Sequence, residues 1–290
     1  MELTLDKWVA GAEHSRHGDH EIAFHEAGSG SAVVLIHGFP TCSWDWHRVW
    51  PDLTQRYRVV AADMIGFGQS AKPRAHGYSI FDQADLCEGL LRSLGVERVH
   101  ILAHDYGDTV AQEMLARFSE RRAEHEPGTV IESVCFLNGG LFPEAQRPLF
   151  IQRLLASPAG GLVGRLLSKR TFDRSFSKIF GPETRPSRQE LAEHWSLLEH
   201  NGGRRIVHRV LRYLHERSAN RERWIGALES APVPLRFVVG LQDPVSGAAM
   251  AQRYREVVPD PDVVELPRIG HYPQLEDPMA VLENYVRFRC

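Results

Sequence analysis

The stretch VHILAHDYGDTVAQE, Val99 to Glu113, changes its hydrophobic period halfway along. Val99 to Ala103 is a short apolar run of the kind that fills a strand buried on both faces. The run breaks at His104-Asp105-Tyr106-Gly107, and helical spacing begins at once. Val110, Met114 and Phe118 share one stripe, with Ala111 and Leu115 beside it. A strand that turns sharply into a helix is therefore predicted, with the carboxylate of Asp105 at its apex.

Working outward, the same alternation of element types recurs. Ile22 to Glu26 alternates like a strand, GSGS (28–31) is a turn, and Ala32 to Ile36 is a buried strand ending in the loop His37-Gly38-Phe39-Pro40. YRVVAADMIGFGQS (57–70) reads as a second buried strand running into a glycine loop. Ser79 opens a helix, with Asp82 completing a capping box and Phe81, Ala84, Leu90, Leu91 and Leu94 on its apolar face. TVIESVCFLNGG (129–140), VPLRFVVGLQDPV (233–245) and DVVELPRIGHYP (262–273) are further strands with their following loops. Strands alternating with helices imply an α/β protein whose mostly parallel sheet has helices on both faces.

Residues 141–225 break that rhythm. They hold no clear buried strand, one helix opened by Ser187 and Glu190, another around Ile206 to Glu216, and punctuation at Pro158, Gly160, Gly161, Gly181, Pro182 and Pro186. A helical cap inserted into a core of residues 1–140 and 226–290 is expected. An independent middle domain is the other arrangement, but a strandless segment of this size serves better as a lid than as a second core.

Bulk composition narrows the function classes. A chain of 290 residues, 43% hydrophobic and 24% charged, can bury one large core with an inserted subdomain. A net charge of −3 gives no electrostatic reason to expect nucleic acid. Lysine is scarce (Lys7, Lys72, Lys169 and Lys178), so arginine supplies most of the positive charge. Cys42, Cys87, Cys135 and Cys290 lie far apart, which fits reduced thiols rather than a disulfide framework or a zinc knuckle. The first twenty residues contain no apolar core of signal-peptide length, and no segment approaches ~20 uninterrupted apolar residues. A cytoplasmic protein with no membrane span, monomeric by default, is expected.

Parallel sheets carry their functional loops at the carboxyl ends of the strands. Asp105, Asp243 and His271 all fall there, in the chain order nucleophile, acid, histidine of α/β-hydrolases. The H-D-x-G elbow is too specific for a helix cap alone. A carboxylate after the strand ending at Leu137 would be an alternative acid, but that position is Asn138, so the acid belongs at Asp243. The HGFP loop would lend the backbone N–H of Phe39 to an oxyanion hole, with that of Tyr106 as the second donor. GFG (66–68) lacks the third glycine of a dinucleotide loop, and HSRHGDH (14–20) flanks a predicted edge strand rather than forming a metal site. Trp44 and Trp46 fit either the pocket floor or plain core packing.

HGFPTCSWDW (37–46), GFGQSAKPRAHGYSIFDQA (66–84), AHDYGDTVAQE (103–113), FLNGGLFPEAQRP (136–148), FGPETRPSRQEL (180–191), RERWIGALES (221–230) and GHYPQLEDPM (270–279) together resemble the mesoderm-specific transcript group of α/β-hydrolases. The resemblance runs in order from Ala32 to Pro278 and includes the cap. That group is similar to epoxide hydrolases and haloalkane dehalogenases, which use an aspartate nucleophile. Its vertebrate members are membrane-associated, a property not carried over to this chain. The resemblance implies that Asp105 attacks a saturated carbon to form an alkyl ester, which water activated by His271 then hydrolyses, with Asp243 orienting the imidazole. That chemistry needs no metal or cofactor.

Epoxide and halide substrates are separated by the leaving-group donors. Dehalogenases hold the halide with side-chain N–H groups at two loop positions, which here are Phe39 and Tyr106. The Tyr106 hydroxyl or a cap tryptophan such as Trp195 would have to replace them. Epoxide hydrolases share HGFP and use cap tyrosines as proton donors. Tyr213 matches one of these, and no tyrosine lies between Tyr106 and Tyr213 to supply the second. A fluoroacetate-type dehalogenase is disfavoured because no arginine pair follows the nucleophile. Epoxide opening on a hydrophobic small molecule is the leading expectation, with Tyr213, Trp44 and Trp195 as substrate contacts. Dehalogenation, or apolar-ligand binding without catalysis on a hydrolase scaffold, are the alternatives. Asp108, an acid in the first turn after the elbow, would raise the nucleophile's pKa if it came close.

Overall fold

Eight strands form one sheet in a computed structural model that describes residues 3–289; Met1, Glu2 and Cys290 lie outside the described residues. The strands are β1 (Glu13–His17), β2 (His20–Ala27), β3 (Ala32–Ile36), β4 (Arg58–Ala62), β5 (Arg98–His104), β6 (Val130–Leu137), β7 (Leu235–Gly240) and β8 (Asp262–Leu266). Their spatial order is β1-β2-β4-β3-β5-β6-β7-β8, antiparallel only where β1 meets β2 and β2 meets β4. All five residues of β3 are buried, as a strand covered on both faces requires. The strand expected at the edge, Ile22 to Glu26, lies in β2 and is second in the sheet; His14 to His17 form the edge strand β1, and His20 opens β2.

Apolar side chains pack on both faces of this sheet. Ile101, Ala103 and Phe136 point into one layer of the core, and Leu102, Cys135 and Leu137 into the other. The helix after the elbow, Tyr106–Glu124, buries Val110, Ala111, Met114, Leu115 and Phe118, matching the predicted stripe. Cys42, Cys87 and Cys135 are buried free thiols.

Two local expectations are corrected. Ser79 accepts a hydrogen bond from Asp82 N, but the Asp82 carboxylate is taken by His17 and His76, so only half of a capping box forms. The helix expected around Ile206 to Glu216 is broken into Val207–Val210 and Tyr213–Ala219. By contrast, Ser187 and Glu190 form a reciprocal capping box on Arg188–Glu199.

Among the described residues, positions 141–225 contain helices and turns and no strand. The position 225 at which the insertion was expected to end falls inside the helix Arg221–Glu229. That helix packs on the elbow helix, where Trp224 Nε1 donates to Glu113 Oε2 at 2.8 Å. Among the described residues, no helix is long and apolar enough to cross a membrane.

Candidate functional site

Five loops leave the carboxyl ends of β3, β5, β6, β7 and β8 and converge. The elbow after β5 gives Asp105 φ 48° and ψ −104°, a strained conformation for a residue with a side chain. Close packing enforces it. A Cβ on Gly107 would lie 2.3 Å from the Ile36 carbonyl, and one on Gly38 would lie 2.7 Å from His104 Nδ1. Glycine at both positions lets the elbow press against the end of β3, and Asp105 is left buried with its carboxylate turned to the HGFP loop.

The Asp105 oxygens have different neighbours. Phe39 N–H donates to Oδ2 at 3.0 Å, and Oδ1 lies 3.7 Å from His271 Nε2. On the other side of the ring, His271 Nδ1 is 2.7 Å from Asp243 Oδ2. Asp243 is held by four donors: Val245 N to Oδ1, and Asn138 Nδ2, Ser246 Oγ and the imidazole to Oδ2. Burial alone would push its carboxyl up, but His271 and these donors hold it below the usual carboxylate range. Burial likewise pushes His271 down, yet the charges of Asp243 and then Asp105 more than offset it, and its pKa rises to about 9. His271 is thus an imidazolium at neutral pH, between two carboxylates.

Asn138, considered from the sequence only as a failed acid, positions the acid instead. It sits at φ 44°, accepts from Gly240 N at 2.8 Å, and donates to Asp243 Oδ2 at 2.9 Å. No sequence pattern marked Arg217, which is 2% exposed on the helix Tyr213–Ala219. Its guanidinium donates to Thr109 Oγ1, Gln146 Oε1 and the backbone carbonyl of Asp105, and lies 4.7 Å from the Tyr213 ring centre. Tyr213 itself is fully buried, with its ring 4.8 Å from that of Tyr106 and 6.3 Å from that of Phe39. Among the described residues its hydroxyl makes no hydrogen bond of good geometry, although Gln146 and Arg217 lie beside it; burial followed by the Asp105 charge pushes its pKa up against the pull of those two neighbours.

Asp108 does come close to Asp105. Burial and then the Asp105 charge push its own carboxyl well above the usual carboxylate range. It is pressed against the turn after β6, where a Cβ on Gly139 would lie 2.0 Å from Asp108 Oδ2. A second buried group stands behind His271. Asp45 lies 3.9 Å from both His104 Nδ1 and His194 Nδ1, and His104 Nε2–H donates to the His271 carbonyl. Burial pushes the Asp45 carboxyl well above the usual carboxylate range and both imidazoles below theirs, His194 to about 3.

An apolar cavity lies over His271, lined by Phe39, Leu155, Phe176, Ile179 and Val207 among others. None of the three expected substrate contacts, Tyr213, Trp44 and Trp195, is among its lining residues; Tyr213 lies beneath it, against Phe39 and Tyr106, and the tryptophans lie elsewhere. Trp44 stacks on His47 at 4.0 Å and donates to Glu193, because its place in the SWDW turn faces Trp8 and the protein flank. Trp46 is in the core on the other face of the sheet. Trp195 lies against Phe172, with the Arg204 guanidinium over its ring. The Tyr106 hydroxyl faces Glu216 and Gln83 rather than the Asp105 carboxylate. Among the described residues, no cluster of three or more histidine, cysteine or acidic side chains has a metal-holding arrangement.

Comparison with known proteins agrees with this architecture. The sequence profile of the alpha/beta hydrolase family matches residues 33–284. The mesoderm-specific transcript homolog protein of Bos taurus is 46% identical over 270 residues, which span 90% of this chain and 79% of that protein. Two solved structures share the fold at lower identity. Epoxide hydrolase CorEH superposes with a TM-score of 0.78 at 19% identity, over 96% of this chain and 97% of that one. Haloalkane dehalogenase DbeA from Bradyrhizobium elkani superposes at 0.79 and 22% identity, over 96% of each chain.

Proposed function

The chain belongs to the alpha/beta hydrolase family and, within it, to the mesoderm-specific transcript group, and on that premise we propose that it opens an epoxide on a hydrophobic small molecule through a covalent ester on Asp105. The split environment of the Asp105 carboxylate carries this reading. Oδ2 is held by the Phe39 N–H, where an oxyanion would later form, and Oδ1 is left to attack. A carboxylate is a poor nucleophile toward an ester carbonyl, since the anhydride formed is more reactive than the ester. Toward a strained C–O bond its product is a stable ester.

In the first step Asp105 Oδ1 bonds to a ring carbon, the C–O bond of the epoxide breaks, and the ring oxygen takes a proton from Tyr213. The poorly satisfied Tyr213 hydroxyl supports that role. Esterification removes one of the two negative charges that hold the His271 proton, so the imidazolium gives its extra proton to solvent and becomes a neutral base only after the ester has formed. His271 then takes a proton from water, hydroxide adds to the ester carbonyl, and the oxyanion on Oδ2 is held by the N–H groups of Phe39 and Tyr106. Collapse releases the diol, whose departing oxygen takes the proton from His271. The regenerated carboxyl returns its proton to Tyr213, and with both carboxylates restored His271 takes its second proton back from solvent. The helical insertion of residues 141–225 acts as the cap that supplies Tyr213 and the apolar cavity wall.

Dehalogenation is less well supported. A departing halide needs side-chain N–H donors near Asp105, and neither Phe39 nor Tyr106 has one, while Trp195 lies outside the cavity lining. Intact-protein mass spectrometry of His271→Gln, incubated with panels of epoxides and haloalkanes, tests the proposal. An adduct equal to the whole epoxide is expected. An adduct equal to an alkyl group without halogen overturns it in favour of dehalogenation. Absence of any adduct that Asp105→Asn would abolish, with tight ligand binding retained, overturns it in favour of a binding protein.

A further inference from the structure

The cap carries an apolar surface that the core does not need. The helices Phe150–Ala156 and Gly160–Leu166 form a short hairpin and pack against each other. On the first helix Ile151 and Leu155 line the cavity, yet Phe150 and Leu154, on the neighbouring stripe about 100° round the helix, are 79% and 36% exposed. On the second, Leu162 and Leu166 are 63% and 72% exposed. Each pair is spaced i, i+4, so each helix presents one apolar stripe to solvent. A surface helix with its inner face already buried should be polar outside. Among the described residues these four are the exposed large hydrophobic side chains of the cap, and only Val9 and Met279 are comparably exposed elsewhere.

The charge around the stripes is predominantly positive, although Lys169 pairs with Asp173. Residues 145–172 contain Arg147, Arg153, Arg165, Lys169 and Arg170 and no acidic residue, and residues 200–215 contain four arginines and no acidic residue. The two segments meet in space, because the second helix packs on the turn His200–Arg205. A surface hollow beside the hairpin is lined by Arg74, Arg165, Arg204 and Arg205, with Glu199 as the acid in its wall. Glu199 pairs with Arg204, and among the described residues Arg165 and Arg205 have no acidic partner.

We propose that this hairpin docks on an anionic lipid surface, with Phe150, Leu154, Leu162 and Leu166 entering the headgroup region and the surrounding arginines meeting lipid phosphates. Apolar side chains ringed by arginine are the composition of an interfacial helix. A second copy of the chain is disfavoured as the occupant, because apposing this face to itself would set Arg165 and Arg205 against their counterparts. The whole chain is acidic, so the cationic face would also orient the molecule, hairpin first, on such a surface. This inference does not depend on the chemistry assigned to Asp105.

Flotation of the full chain with vesicles of phosphatidylcholine, alone or mixed with phosphatidylglycerol, tests it. Binding to the mixed vesicles is expected, with affinity falling as salt is raised. The double variant Leu162→Asp/Leu166→Asp should bind about tenfold or more weakly, and Arg165→Glu/Arg205→Glu should lose the preference for phosphatidylglycerol. All four positions are exposed or at the surface, and thermal melts of both variants check that the fold is kept. Failure of the wild type to float with the mixed vesicles overturns the proposal, as does equal flotation of both variants. A concentration-dependent dimer that Leu162→Asp/Leu166→Asp abolishes, seen by sedimentation velocity without lipid, would assign the face to a second copy and overturn it as well.

Discussion

Arg217, from the helical insertion, donates a hydrogen bond to the backbone carbonyl of Asp105 at 3.2 Å, and both residues are buried. The guanidinium therefore ties the insertion to the strained elbow as well as to Thr109 and Gln146. Replacing it with lysine keeps the charge but cannot reproduce the fork of donors. Arg217→Lys should lose roughly 2–4 kcal/mol of stability, because the Thr109 hydroxyl, the Gln146 amide and a carbonyl lose their partner in a buried site. Urea unfolding checks this, and a change within about 0.5 kcal/mol of wild type would show that the contact is incidental.

His271 makes stability depend on pH in a defined window. Its pKa rises from 6.5 unfolded to about 9 folded: burial acts downward, and Asp243 and then Asp105 act upward more strongly. A raised folded pKa contributes stability that is fully present below pH 6.5 and lost as pH rises through about 9. The loss across that window should be on the order of 3 kcal/mol. In Asp243→Asn the main upward influence is gone while burial remains, so the His271 pKa should fall and this loss should disappear. Denaturant unfolding across the window, with the imidazole followed by NMR, measures both. An Asp243→Asn profile that overlays the wild type would remove Asp243 as the cause.

The elbow was legible because two periodicities meet in fifteen residues, and Ala32 to Ile36 was legible because a fully apolar strand has few other uses. Asp105, Asp243 and His271 could be placed because the ends of parallel strands lie together in any sheet of this order. Asn138 and Arg217 escaped for opposite reasons. Asn138 acts through a positive φ and a bond to a residue 105 positions away, neither of which leaves a local pattern. Arg217 is one among many arginines, and only the tertiary packing of its short helix buries it. Trp44 misled because a tryptophan next to a functional loop has the same composition signal whether it faces the cavity or, as here, His47.

Asp108 gives the most selective test of electrostatics at the elbow. Burial and the neighbouring Asp105 charge push its carboxyl well above the usual range, against the weaker downward pull of the Leu137 and Gly139 backbone, and among the described residues neither oxygen makes a hydrogen bond of good geometry. Its folded pKa lies above the unfolded value of 3.8, so, as with His271 but starting from a lower pH, stability is lost as pH rises from that value toward the folded one. Asp108→Asn replaces the carboxyl with a neutral amide of the same shape. Activity should stay within a few fold, and the variant's stability relative to wild type should increase with pH above about 4. Unfolding at a series of pH values decides it. A variant that is equally destabilised at every pH would mean that Asp108 is ionised or that the amide does not fit.

Tyr213 separates epoxide chemistry from other uses of the same aspartate. Its buried hydroxyl makes no hydrogen bond of good geometry among the described residues, with Gln146 and Arg217 beside it, so Tyr213→Phe removes a poorly satisfied donor whose burial costs about 1–3 kcal/mol and leaves the packing of the ring on Tyr106 and Phe39 intact. The variant should therefore be as stable as the wild type or more so. If the hydroxyl protonates the ring oxygen, the same change should slow ester formation by about 10²–10⁴-fold, the usual worth of a positioned general acid. Reading that rate as adduct growth in the His271→Gln background isolates the first step from the second. Affinity for an unreactive analogue of the epoxide should be nearly unchanged, since the hydroxyl acts on the departing oxygen rather than on the apolar body of the ligand. Unslowed adduct growth in Tyr213→Phe would take the proton donor away from this residue. A fall in stability would instead mean that the hydroxyl supports the packing of the helix Tyr213–Ala219.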